Sequence, residues 1–199
     1  LMAREKEELR GFSLFEYSDA DSFAHLLKIV VDPNQRQKGI GKKNYTRYYM
    51  KYSNKLFVLK KIIDYFQSRN PSKEIGRTKI QKLMFFINQR VNLGLEFSLY
   101  HYGPYSYEVA SLIEFAVSEG LIVEEWNGAV GYKILPTERL EELVPDEEFR
   151  DDLDGIISEY ENYNVKELSI IATGLLVKEQ MGLASDLIPK KVHQLKPKY

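Results

Sequence analysis

Two clusters in the sequence carry residue types that could do chemistry. The first is Arg36-x-x-Gly39-x-Gly41, with Gln37, Lys38 and Lys42 interleaved and Val31 at the end of the branched run before it. Glycines without a Cβ let successive backbone N–H groups converge on a phosphate, and the lysines add charge to the same nest. Such a turn works when a strand delivers it and a helix carries it away, because the helix start adds partial positive charge. The second cluster is Arg77, Thr78, Lys79, Gln81 and Lys82 at a helix start, followed downstream by Tyr105 and Lys133. It combines exposed amides with cationic side chains, so it suits an anionic partner. Capping and solvation are the alternative use of the same residues.

Charge is segregated along the chain although the net value is −1. From Arg36 to Lys61 the charged side chains are all basic, among them Lys43, Arg47 and Lys51, and Tyr45, Tyr48, Tyr49 and Tyr52 lie between them. Such a stretch can meet phosphates by charge and bases by stacking, or it can be a solvated helix face. Residues 138–161 reverse the sign, with Arg139 and Arg150 as the basic exceptions.

Other chemistry is not indicated. Cysteine is absent, which removes disulfides, thiolate metal sites and cysteine nucleophiles. His25, His101 and His193 show no ligand spacing, so no metal is expected. No carboxylate pair or serine–histidine arrangement has a specific spacing, and catalytic residues are therefore not assigned. The apolar runs fall short of a membrane span, and the charged start lacks the apolar region of a signal peptide; a cytoplasmic protein without membrane contact is expected.

The elements that would position both clusters can be read from periodicity. Residues 12–17 and 24–31 predict two strands joined by a polar turn, with Asp32-Pro33 as the stop. A long basic amphipathic helix follows, with Leu56, Leu59, Ile62, Ile63 and Phe66 as its apolar stripe. The next helix starts with Thr78 as N-cap, buries Ile80, Leu83, Met84, Ile87 and Val91, and stops at Gly94. It should pack on its predecessor. A short strand over 97–103 leads to Pro104, which opens a helix over 105–119 with Val109, Leu112, Ile113 and Ala116 inward. In this reading Gly103-Pro104 turns the strand into the helix, with Tyr102 and Tyr105 packed around the turn. Residues 120–135 read as a hairpin around Asn127-Gly128. Two or three amphipathic helices follow, with stripes at Leu153, Ile156, Ile157 and Tyr160, then Leu168, Ile171, Leu175 and Leu176. They complete the core or a homodimer interface, and the basic tail from Ile188 is expected to fray.

This order of helices and hairpin is that of a winged-helix domain with its first strand shifted. Its usual use places the third helix in the major groove of duplex DNA. That helix here carries Glu108, Glu114 and Glu119 and no lysine or arginine, so the basic groups before it and Lys133 in the wing are the better DNA contacts.

Two family resemblances follow from quoted motifs. The Val-Asp-Pro lead-in and the Arg36-x-x-Gly39-x-Gly41 turn resemble the signature segment of the GNAT acetyltransferase superfamily over residues 10–43. That resemblance implies Ile29 to Val31 against a pantetheine arm and Gln37 to Lys42 around the pyrophosphate of acetyl-coenzyme A. The rest of that fold is not evident, so a strand–loop fragment left by a fusion is the alternative. "GRTKIQKLMFFI" and "YHYGPYSYEV" resemble the YwgA-type and SocA-like (Panacea) proteins over residues 52–136. That implies a winged-helix-like module among predicted regulators, antitoxins or proteolytic adaptors. The combined expectation is an α+β, mostly helical chain: a GNAT-like fragment over 1–43, a winged-helix-like domain over 44–136, and acidic helices with a basic tail over 137–199. Its function is non-enzymatic regulation or adaptation through duplex DNA or a protein partner, with GNAT-type N-acetyl transfer as the alternative. No cofactor is expected unless the GNAT-like segment works, in which case it is acetyl-coenzyme A.

Overall fold

The computed structural model describes residues 2–5, 8–18, 23–31, 40–69, 75–128, 131–141 and 152–197, with side chains from residue 54 onward. The chain is α+β and mostly helical, and it divides into two compact units, Leu1–Asn54 and Lys55–Tyr199. Helix α1, Ile40–Arg69, begins in the first and ends in the second. The composition change after Lys43 therefore falls near the start of this helix and not at the unit boundary.

In the first unit, strands β1 (Met2–Glu5), β2 (Glu8–Ser18) and β3 (Phe23–Val31) form an antiparallel sheet in that order. The pairing of β2 with β3 runs from Gly11 opposite Val31 to Ser18 opposite Phe23, with a register shift at Leu14/Phe15. Both strands read from the sequence are present and longer than expected. Strand β1 was not expected, because its charged residues hide a period of two. Cross-strand pairing, Met2 with Phe12 and Glu5 with Glu8, decides it instead. Among the described residues β3 pairs with β2 alone.

The second unit is built around helix α2, Arg77–Val91. Every residue from Lys79 to Ile87 is buried, so α2 is not amphipathic but enclosed. The end of α1 contributes Leu56, Val58, Leu59, Ile62, Ile63 and Phe66 to the core. Helices α3 (Tyr107–Ser118), α5 (Leu153–Tyr160) and α6 (Val165–Met181) pack on α2. Phe85 and Phe86 meet Leu168, Ala172 and Leu176 of α6, and Phe86 lies flat on Tyr160 at 3.9 Å.

Two hairpins complete this unit: β4 (Ser98–Tyr100) with β5 (Gly103–Tyr105), and β6 (Ile122–Asn127) with β7 (Gly131–Pro136). The second matches the expected hairpin, but Asn127 pairs with Gly131, so the loop starts after Asn127. Just before α2, Gly76 forms an antiparallel bridge to Lys133 of β7, and Ile134 N–H donates to Ile75 O at 2.9 Å. Short helix α4 (Glu138–Glu141) follows β7, and α7 (Ile188–Leu195) packs on α6.

Several boundaries differ from the sequence reading. The N-cap of α2 is Gly76, with no side-chain cap, and Thr78 lies inside the helix. The chain reverses at Asn92 in the left-handed region, two residues before Gly94. Gly103-Pro104 belongs to β5 and does not open α3; Ser106 caps that helix by accepting from Val109 N–H. Serine offers the acceptor that proline lacks, so the helix begins after it. Among its described residues the basic tail does not fray: α7 packs on α6, Val192 and Lys196 are buried, and Lys196 Nζ donates to His101 O at 2.7 Å.

Candidate binding cleft at the start of helix α2

Five backbone groups of the motif "YHYGPYS" are held by side chains distant in sequence. Gln81 makes a two-way bond with Ser106, Nε2 donating to its carbonyl at 2.9 Å and Oε1 accepting from its N–H at 3.0 Å. Lys82 Nζ donates to Pro104 O at 2.6 Å, Ser169 Oγ to Tyr102 O at 2.5 Å, and Lys196 Nζ to His101 O. Gly103 sits at φ +91°, and a Cβ built there would lie 3.0 Å from Ser169 O and from Thr173 Oγ1. Both facts demand glycine: the backbone is left-handed and α6 presses against it.

This clamp leaves the rings of the hairpin facing out. Tyr102 is 61% exposed, Tyr100 and Tyr107 are exposed, and Tyr105 lies between Tyr100 and Tyr107 at centroid distances of 5.4 and 5.2 Å. Between the hairpin, the start of α2 and α3 lies a cleft of about 140 Å³. Thr78, Lys82, Tyr100, Tyr105, Ala110 and Ile113 are among its lining residues.

The cations picked out by sequence are turned toward the protein itself. Arg77 forms a two-bond pair with Glu124 of β6, Nε to Oε1 at 2.7 Å and NH2 to Oε2 at 2.6 Å, with Glu114 at 3.7 Å and the Tyr132 ring at 5.7 Å. The hydrogen bond to Glu124 raises its pKa first of all. Lys79 is buried, its ammonium 4.2 Å from the Phe66 ring centre and 3.4 Å from Glu161 O. Lys82 is 1% exposed, and burial, then the nearby Lys196 ammonium, push its pKa down to about 8. Lys133 lies in β7 beside Gly76. Glu108 of α3 accepts from Lys55 of α1 and Glu114 lies 3.7 Å from Arg77, so both carboxylates of α3 have basic partners.

Thr78, Lys82 and Tyr105 thus meet at one cleft with Arg77 at its mouth, whereas Lys79 and Lys133 belong to neighbouring contacts. Sequence reasoning missed Ser169, Thr173 and Lys196, which reach the motif from the C-terminal helices. The sequence signal for Ser169 and Thr173 is that small polar residues are set inside an apolar helix stripe, whereas Lys196 reads only as part of the basic tail. Of the first cluster, Arg36, Gln37, Lys38 and Gly39 lie outside the described residues. Val31 ends β3, while Gly41, Lys42, Lys43, Arg47 and Lys51 fall within α1, whose side chains are described only from residue 54.

The Arg77–Glu124 pair gives a first expected outcome. It is half exposed on the arginine side, so Glu124→Gln should lower stability by only about 0.5–1 kcal/mol in a denaturant titration. A loss several times larger would mean that the pair organises the whole hairpin.

No protein-family model matches the chain, and no curated protein matches it. Among the described residues no helix is long and apolar enough to cross a membrane.

Proposed function

We propose that the second unit is a winged-helix-like, non-enzymatic adaptor or regulator that docks a protein partner. The winged-helix reading is supported by element order and by the bridge from Gly76 to Lys133, which puts a minimal first strand between α1 and α2 against the wing β6–β7. One observation carries the choice of partner. Trp126 is 67% exposed at the tip of the wing, edge-on to Tyr132 across the strand pair at 5.1 Å. Exposed tryptophan and tyrosine are the residues that dominate protein interfaces, since they bury large areas at small entropic cost. Glu114 and Glu124 near these rings are paired with Arg77, so the fitting surface is set by the two rings and is an apolar pocket. Meanwhile Arg77 and Lys79 are turned to contacts within the unit, which favours protein over phosphate.

Duplex DNA and acetyl-coenzyme A remain the competing ligands, through the basic stretch around Lys43, Arg47 and Lys51 and the turn around Gly39. Titration of a labelled duplex at low salt should give no affinity that falls steeply with added salt. Calorimetry with acetyl-coenzyme A should give no micromolar binding. A steep salt slope that Lys43→Ala, Arg47→Ala and Lys51→Ala flatten would replace the proposal with DNA binding. Micromolar binding abolished by Gly39→Val would replace it with acetyl transfer.

A further inference from the structure

We propose that the cleft between the start of α2, hairpin β4–β5 and α3 binds the free C-terminal carboxylate of a protein whose last side chain is small and apolar. This rests on the adaptor reading and names what one part of its surface would recognise.

Lys82 is buried and is one of the residues that line the cleft, and its ammonium donates to Pro104 O. An ammonium offers three N–H groups, so one carbonyl leaves donor capacity unspent. Among the described residues no carboxylate lies within ion-pair distance of it, and the charge acting on it is a second cation, Lys196. A cation held this way is costly unless a counter-charge arrives. Arg77, which also lines the cleft, is engaged by Glu114 and Glu124. An incoming anion would therefore meet Lys82 without displacing a carboxylate already bonded to it.

Size and lining narrow the anion. At about 140 Å³ the cleft is well below the roughly 300–1,000 Å³ of pockets that hold drug-sized or cofactor ligands. Its lining residues include the cationic Lys82 and hydroxyl-bearing Thr78 together with Ala110, Ile113 and Tyr105. A terminal residue supplies both halves on one carbon: the carboxylate for Lys82 and Thr78, and the side chain for Ala110 and Ile113. An internal aspartate or glutamate supplies the charge but leaves the apolar floor bare.

The test uses the full chain and three acetylated peptides in calorimetry at pH 7. One ends in alanyl-valine with a free carboxylate, the second is its C-terminal amide, and the third is amidated with an internal glutamate. The expected result is binding of the free acid, at least tenfold weaker binding of both amides, and a similar loss on Lys82→Met. Binding of the acid should also weaken above pH 8. No binding of the free acid, equal binding of acid and amide, or equal binding of the internal-glutamate peptide would each overturn the proposal. The acid–amide comparison on the unaltered chain stands even if Lys82→Met does not fold. Lys178→Ala, at an exposed position of α6, should leave peptide binding unchanged, and because the peptides report on the cleft alone, a failed cleft and a failed wing surface are told apart.

Discussion

Gly103→Ala should destabilise the second unit far more than Gly94→Ala, although both glycines have positive φ. Gly94, at φ +65°, has nothing within 4 Å of a built Cβ, so alanine there costs only the left-handed strain, about 1–2 kcal/mol. Gly103, at φ +91°, adds contacts of 3.0 Å to Ser169 O and Thr173 Oγ1 and 3.1 Å to Ser169 Oγ. Backbone oxygen cannot rotate away, so α6 or the hairpin must shift. Overpacking of this kind costs about 1–3 kcal/mol beyond the strain. Shifting the hairpin would also strain the bonds that Ser169 and Lys82 make to the flanking carbonyls. Chemical denaturation of the two variants side by side measures the difference; equal losses would show that α6 does not brace the motif.

Stability should rise with pH between about 8 and 10, against the usual expectation of a plateau. In the unfolded chain Lys82 stays protonated up to its ordinary 10.5, but in the fold burial lowers the value to about 8. Between those values the unfolded state binds more protons, so raising pH favours the fold. The penalty is present in full below pH 8 and is relieved as pH approaches 10.5. At about 1.36 kcal/mol per pH unit the whole effect is at most roughly 3 kcal/mol. Lys196, also lowered by burial, acts in the same direction. Tyr65 and Tyr160 act oppositely, because burial raises both phenols, and unfolded tyrosines ionise first near pH 10. The rise should therefore be read below pH 10. Lys82→Met should remove most of the slope; a wild-type profile flat from pH 7 to 10 would mean that water or an anion keeps Lys82 charged in the fold.

How far the sequence revealed this arrangement depended on whether an element has one neighbour or several. Helix α3 packs on one side, and its buried Val109, Leu112, Ile113 and Ala116 follow the helical period that names them. Helix α2 is enclosed, so periodicity found Ile80, Leu83, Met84 and Ile87 but not the burial of Lys79, Gln81 and Lys82. A clue was present: Gln81 and Lys82 stand one turn before Phe85 and Phe86, so their face is apolar further along. Lysine reads as surface because its charge dominates, although its long stem packs well in a core. The tail misled in the same way, since Ile188, Val192 and Leu195 keep a helical spacing beneath the lysines. The Gly103 contact with α6 joins residues far apart in sequence, and no local pattern announces it.

The adaptor reading is tested most directly by photo-crosslinking in cells, with a benzophenone amino acid placed at Trp126 and, as control, at the exposed Lys166 on α6. The account predicts a discrete protein adduct from position 126, insensitive to nuclease and absent from position 166. A nucleic-acid adduct at position 126, or the same adducts from both positions, would contradict it.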